Sequence, residues 1–149
     1  MGVVVFKATT DLGSISGKTG ALKVKCRETT DTSTGRKEKG IAIVIPLTGQ
    51  RNDTMLIDYD EIDALKMALL YLSQLDVRMT PLNTFDATYT TKGGFRIAAL
   101  GSRSTGAVQF AVRDARNDSA PIIISGVEMS RLSGLIEQAK TTLDGLRGG

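Results

Sequence analysis

The sequence predicts an α+β fold of two repeated units, each with four antiparallel strands followed by a helix, packed around a shared core. Two amphipathic stretches with helical periodicity lie about half a chain apart, and short apolar-rich stretches precede each of them. Several segments of the first half also match segments of the second half in the same order. The 149 residues are therefore expected to form a single domain of two repeats, about residues 3–78 and 84–147.

The two helices are predicted at about residues 60–75 and 128–143. In the first, apolar residues recur at spacings of three and four and mark one buried face, and acidic residues cluster at its start, as the helix dipole favours. The second carries a similar stripe between Gly126 and Gly145. The residues of the two stripes are Ile62, Leu65, Leu69 and Leu72, and Met129, Leu132, Leu135, Ile136 and Ala139.

The remaining chain is rich in short β-branched stretches separated by Gly, Asn, Asp, Ser and Thr, which is typical of strands joined by turns. Residues 31–39 contain no apolar residue and are predicted to form a mobile, charged loop. The predicted strands span residues 3–9, 21–28, 41–47, 54–58, 85–91, 94–100, 107–114 and 121–125.

Local matches between the two halves indicate an internal duplication. Residues 6–10 (FKATT) parallel residues 85–89 (FDATY), and residues 20–24 (GALKV) parallel residues 93–97 (GGFRI). The start of the first helix parallels the start of the second in the same way. The matches keep the same order but need gaps of several residues, mostly around residues 31–39.

The composition argues against the commonest catalytic and metal sites. The chain has no histidine and a single cysteine, Cys26, which alternates with charged residues and is expected in the core. Gly17-Lys18-Thr19 is similar to the end of a P-loop, but Leu12 stands where that pattern needs glycine. We therefore predict a protein that is not an enzyme and binds no metal or cofactor. An enzyme that uses Lys, Asp or Tyr is the alternative, although no spacing singles out such a group.

The compartment follows from what the sequence lacks. No stretch has the 18 or more consecutive apolar residues of a membrane span, and the N-terminus has no signal-peptide pattern. We expect a protein of the cytoplasm, including the nucleoid, with no membrane association.

Positive charge is concentrated on the predicted strands and negative charge on the helices. Residues 1–52 and 79–116 carry net charges of +5 and +3, whereas residues 53–78 and 117–149 carry −4 and −1. A basic sheet face suits a phosphate backbone, and neighbouring aromatic rings can stack on bases. The same charges would also serve as a solvated face that prevents aggregation. The predicted nucleic-acid-binding residues are Lys18, Lys23, Lys25, Arg27, Tyr89, Lys92, Phe95, Arg96 and Arg113. Tyr89 and Phe95 are the stacking candidates, and core packing is the alternative for Phe95.

Two consecutive units of four strands and a helix resemble the Whirly and Pur-alpha families and the related single-stranded-DNA-binding transcriptional coactivators. Residues 16–22 (SGKTGAL) look like the Lys-Gly-Lys-Ala-Ala-Leu segment of Whirly proteins: Lys18, Ala21 and Leu22 agree with it, and Thr19-Gly20 departs from it. The resemblance implies binding of single-stranded nucleic acid on sheet surfaces and assembly of dimers or tetramers through the helices.

Together these observations predict a single-stranded nucleic-acid-binding protein with weak sequence preference. Its expected ligand is single-stranded DNA or RNA, most of all DNA, its expected assembly is a homo-oligomer (dimer or tetramer), and its expected role lies in DNA replication, recombination or repair. The alternative is a homo-oligomeric protein-interaction or assembly module that does not bind nucleic acid.

Overall fold

The computed structural model describes residues 3–46, 52–117 and 120–146. Eight strands and two α-helices follow one another in two rounds of four strands and a helix. One 3₁₀ turn, Tyr59–Glu61, precedes the first helix and another, Val77–Met79, follows it. The elements are β1 (Val5–Ser16), β2 (Ala21–Asp31), β3 (Arg36–Pro46), β4 (Asn52–Asp58), α1 (Ile62–Ser73), β5 (Thr84–Thr90), β6 (Phe95–Ser102), β7 (Ala107–Asp114), β8 (Ile122–Ile124) and α2 (Gly126–Asp144).

Strands β1 to β4 form one antiparallel sheet in sequence order, and strands β5 to β8 form the other. The predicted α+β class and the two units of four strands and a helix are therefore confirmed. The residues that matched between the halves also occupy equivalent places. Leu22 and Phe95 are both fully buried, and Lys23 and Arg96 follow them on the opposite face of β2 and β6.

One face of each sheet is buried, as the alternation of apolar residues predicts. Helix α2 packs against β1, β2 and β3 of the first sheet and also against β7 and β8 of the second, while α1 contacts α2 and β6. The buried apolar side chains form one cluster with members from both sheets and both helices. The packing of the two repeats around a shared core stays a prediction, which these contacts support.

The expected loop at residues 31–39 is wrong. Strand β2 continues to Asp31, β3 begins at Arg36, and only residues 32–35 form the turn, where Gly35 has a φ of 74°. The two strands run past the core here as a polar ribbon, so no apolar alternation marks them. Strand β1 likewise extends to Ser16, beyond the predicted end at residue 9. Predicted residues Leu47 and Arg147 lie outside the described residues.

Two hairpin turns cover the outer edge of the opposite sheet. In the turn between β1 and β2, the backbone N–H of Lys18 donates to the Ile123 carbonyl of β8 (2.8 Å), and the Ile123 N–H donates to Thr19 Oγ1 (3.1 Å). In the turn between β5 and β6, Gly93 lies so close to β4 that a Cβ there would stand 2.0 Å from the Leu56 carbonyl oxygen. The last strand of each sheet is thus shielded by the first hairpin of the other.

Candidate nucleic-acid interface

Two arginines stand directly opposite each other on the outer face of the second sheet. Arg96 of β6 pairs in register with Arg113 of β7, and Thr90 of β5 pairs with Arg96 on the other side. The neighbouring residues Phe95, Ile97 and Val112 are fully buried on the core face, so alternation directs both arginines outward. The strand register therefore places the two guanidinium groups side by side on the outer face; we call Arg96 and Arg113 the arginine pair.

This arginine pair lacks an acidic partner among the described residues. The Arg96 Nε donates to Thr90 Oγ1 (3.0 Å), and the Arg113 Nε is buried with no hydrogen-bond partner there. Like charges directly opposite each other in a sheet are destabilising, and an unpaired buried donor costs further free energy. A bound anion would offset the repulsion between the two charges, because guanidinium groups fit phosphate oxygens with two parallel hydrogen bonds.

The row next to the arginine pair has a smooth surface. Thr88, Ala98, Ala111 and Ile123 stand side by side across the four strands. None of these side chains is aromatic, charged or long. The row therefore forms a floor of small side chains beside two cations, in which Ala98 is half-buried and Ala111 is buried.

Lys18 reaches the same end of the second sheet from the first repeat. Thr19 Oγ1 donates to the Pro121 carbonyl (2.9 Å), and Pro121 comes directly before Ile122, the β8 partner of Val112. Pro121 therefore lies next to Arg113 in the ladder. The turn is held tightly, since a Cβ at Gly17 would stand 2.4 Å from the Ile123 carbonyl oxygen. The structure thus places exposed Lys18 beside β8, at the end of the neighbouring row that holds Ala111 and Ile123.

A second basic row follows β2 on the outer face of the first sheet. Lys23 is exposed and Lys25 and Arg27 are half-buried, whereas Leu22, Val24 and Cys26 between them are buried, as the sequence predicts. Residues two apart in a strand are roughly 7 Å apart on one face. The three cations therefore form an evenly spaced line along the strand.

Acidic groups balance part of this β2 row. Lys25 Nζ lies 3.5 Å from an oxygen of Asp11. Glu38 and Asp58 line a depression of about 90 Å³ together with Arg27, and Gly40 contributes the floor between them. The β2 row is consequently a weaker anion site than the arginine pair, in which no carboxylate of the described residues competes.

Lys92 and Tyr89 occupy the turn and strand that meet β4. The Lys92 side chain is exposed, and its backbone N–H donates to Glu61 Oε2 (3.0 Å). Tyr89 pairs in register with buried Ile97, so its ring lies on the core side of β5 and is half-buried. Burial, together with the negative charge of Glu61, raises the pKa of the Tyr89 hydroxyl.

Both predicted stacking residues are therefore corrected. Phe95 is fully buried in the core, so the prediction that it stacks on a base is wrong. The same prediction for Tyr89 is wrong for the face that carries Arg96, because the ring points to the opposite side. The matching alternation of Phe95 with Ile97 was already a signal for the core face.

Two aromatic rings that sequence reasoning did not place in the site are exposed. Phe6 on β1 is 62% exposed and Tyr71 on α1 is 60% exposed. The sequence does contain a signal that Phe6 is exposed. The apolar residues 3–6 precede a polar stretch in which apolar and polar residues do not alternate, so no face of this strand is marked for the core.

Neither metal nor membrane features are found in the described parts of the chain. No group of three or more Cys, Asp or Glu side chains there could hold a metal ion, and no helix there is long and apolar enough to cross a membrane. Compared with protein-family models, with curated proteins and with solved structures, the chain matches none.

Proposed function

We propose that the protein binds single-stranded nucleic acid, with DNA as the leading candidate, through the outer faces of its two sheets. The cross-strand pair of Arg96 and Arg113 carries this proposal. Two guanidinium groups with no carboxylate partner among the described residues are costly in isolation and favourable around a phosphate. Lys18 at the edge of the same sheet, and the β2 row on the other sheet, supply further phosphate contacts.

Sequence preference should be weak in this arrangement. The contacts come from cations that recognise the backbone, and backbone contacts carry no sequence information. The floor of Ala98 and Ala111 fits any base lying flat, since it has no donor or acceptor side chain to read a base edge. Bases would rest on this floor without aromatic stacking, so the phosphate contacts would dominate affinity.

The resemblance to the Whirly and Pur-alpha families is part of this proposal. Its basis is the order of elements, and the buried faces of both helices pack into the core in the described residues. Packing of the two repeats around a shared core, assembly through the helices, and a role in replication, recombination or repair belong to the same proposal.

The proposal is tested by fluorescence-anisotropy titration of a labelled single-stranded oligonucleotide at several salt concentrations, with duplex as the comparison. We expect salt-dependent binding that favours the single strand. Arg96→Ala and Arg113→Ala should each weaken binding and lower the salt dependence by about one phosphate contact. Arg78→Ala removes an exposed arginine that is paired with Asp76 outside the sheets and should change neither. Absence of binding at low salt would overturn the proposal.

An assembly module without nucleic-acid binding is the second candidate, and the surface of α1 favours it. Met67 is 71% exposed and Leu70 is 58% exposed beside Tyr71. They border a groove of about 460 Å³ between α1 and α2, where Lys66 and Glu137 form an ion pair of 2.7 Å. This candidate predicts a stable oligomer whose formation is indifferent to oligonucleotides.

A further inference from the structure

Within the described residues, no strand or hairpin turn packs on the edge of the first half of β1. Residues 8–10 border a depression that the end of α2 also lines, at Thr142, Leu143 and Leu146. The outer edges of β4 and β8 are covered by hairpin turns, and the far end of β1 is covered by α2, since Arg131 Nε donates to the Ser14 carbonyl (3.0 Å). A β-bulge at Leu12 separates that covered end from residues 5–11. The open edge therefore begins where the core contacts stop.

The start of this open edge is apolar, and the charged residues Lys7 and Asp11 follow it along the same strand. Val3, Val4, Val5 and Phe6 are 56%, 69%, 52% and 62% exposed. Proteins normally protect edge strands with charge, proline, bulges or covering elements, because unpaired backbone groups invite another strand. The second unpaired edge, β5, presents a different surface, since its outward side chains are Thr84, Asp86, Thr88 and Thr90.

The backbone geometry fixes which groups are free. The Thr32 N–H donates to the Val4 carbonyl (3.1 Å), so the hydrogen-bonding groups of Val4 point toward β2. Because these groups alternate along a strand, those of Val5, Lys7, Thr9 and Asp11 point away from β2. Four alternate residues of β1 therefore present free backbone donors and acceptors along one edge.

The side chains of this edge complement themselves. In an antiparallel pair of β1 strands centred on Thr9, Lys7 of each copy stands opposite Asp11 of the other, and Phe6 stands opposite Leu12. Asp11 also contacts Lys25 of its own chain (3.5 Å), so one carboxylate would lie between two lysines. A register centred on Lys7 would instead oppose two lysines, which is unfavourable. The centre on Thr9 also keeps the free backbone groups of both strands facing each other.

We propose that β1 pairs with β1 of a second copy of this chain, antiparallel and centred on Thr9. The contact is isologous, with a twofold axis through Thr9, and joins the two first sheets into one continuous eight-stranded sheet. Residues 7–11 of each copy then pair with residues 7–11 of the partner, and the apolar residues Val5 and Phe6 lie at the ends of this contact. This contact is independent of nucleic-acid binding and differs from the helix surfaces invoked above.

Charge reversal tests the proposed register. Lys7→Glu places Glu opposite Asp11 in both halves of the pair, and Asp11→Lys places Lys opposite Lys7. Each single variant should weaken self-association about tenfold, because two attractive contacts become repulsive. An equimolar mixture of the two variants restores attraction at both positions and should form a mixed dimer. Sedimentation velocity measures the association state of the four samples: the wild type, each single variant and the mixture.

Three results in this series would overturn the proposal. They are a wild-type chain that stays monomeric at a concentration of about 10⁻⁴ M, single variants that associate as the wild type does, and a mixture that fails to associate.

A cross-linking variant guards against a folding defect in the charge variants. Thr9→Cys should form an intermolecular disulfide, since hydrogen-bonded residues of antiparallel strands have Cα atoms within disulfide range. Thr88→Cys, at an exposed position of the β5 edge, is the control. Efficient cross-linking of Thr88→Cys but not of Thr9→Cys would assign the contact to β5 and contradict the proposal.

Discussion

Asp114 is fully buried at the end of β7 and accepts three hydrogen bonds from Arg116, two residues further along the chain. The Arg116 Nη2 and Nε lie 2.7 and 2.9 Å from the two carboxylate oxygens, and the backbone N–H completes the set at 2.8 Å. The same guanidinium donates to the Thr54 carbonyl of β4 (2.9 Å) and contacts Asp53. One arginine thus ties the second sheet to the edge of the first.

The first prediction is that Asp114→Asn lowers the free energy of unfolding at pH 7 by about 1.5–3 kcal/mol, the range for hydrogen bonds to charged groups. The hydrogen bonds from Arg116 hold the pKa of the Asp114 carboxyl below its ordinary value. Because the folded pKa is lowered, this contribution is present above the ordinary value near 4 and is lost as the pH falls below it. Urea unfolding at pH 7 and pH 3 measures the difference.

Asp53 opposes part of this pH dependence. Burial and the hydrogen bond with Asp114 raise the pKa of the Asp53 carboxyl, so its protonation favours the folded state as the pH falls. The loss of stability in acid should therefore be smaller than Asp114 alone would produce. Asp86→Asn, on the exposed face of β5, is the matched control and should leave the dependence of the free energy of unfolding on pH unchanged. An Asp114→Asn variant with wild-type stability at pH 7 would contradict the prediction.

Two glycine substitutions should act with opposite sign. Gly93→Ala forces a Cβ to within 2.0 Å of the Leu56 carbonyl oxygen, so the turn must move off β4, at a cost of about 1–3 kcal/mol. Gly134→Ala, in the middle of α2, adds a Cβ that meets nothing within 4 Å and should stabilise the protein by about 0.5–1 kcal/mol. Thermal unfolding of both variants compares them directly. Equal effects would show that the contact between the turn and β4 does not contribute.

The β2 row should not respond uniformly to alanine replacement. Lys23→Ala and Arg27→Ala should each remove about one phosphate contact from the salt dependence of oligonucleotide binding. Lys25→Ala should have the smallest effect, because Asp11 already neutralises that lysine at 3.5 Å. The measurement is the slope of log affinity against log salt for each variant. A largest effect at Lys25 would contradict this ranking.

The pattern of apolar residues along the sequence predicts the helices and strands that contact the core. It does not predict the parts of strands that extend beyond the core. The stripes of α1 and α2 were readable because burial imposes a helical period on Leu65, Leu69 and Leu132. The ribbon of β2 and β3 beyond residue 28 was missed, since strands exposed on both faces need no apolar alternation. The arginine pair was identified as two separate cations, and only the strand register shows that Arg96 and Arg113 are opposite each other. The link from Arg116 to β4 joins positions 62 residues apart, which sequence spacing does not reveal.

The exposed face of α1 leads to the last prediction, which concerns assembly. Leu70→Glu places a charge in the middle of the surface formed by Met67, Leu70 and Tyr71. The variant should fold normally because the Leu70 side chain is 58% exposed, but it should lose any contact made through the helices. Gln138→Glu adds the same charge at an exposed position of α2 that does not line the groove and is the matched control.

Combining this change with Lys7→Glu separates the two proposed contacts. If both operate, each single variant should halve the number of subunits found by sedimentation, because one contact remains, and the double variant should be monomeric. If only β1 pairs, Leu70→Glu should behave as wild type, and Lys7→Glu alone should give the monomer at concentrations between the wild-type dissociation constant and the tenfold higher value expected for this variant. A double variant that keeps the wild-type subunit number would exclude both surfaces. Since nucleic-acid binding is assigned to the sheet faces, each variant should retain the salt dependence per subunit at the arginine pair even where assembly is lost.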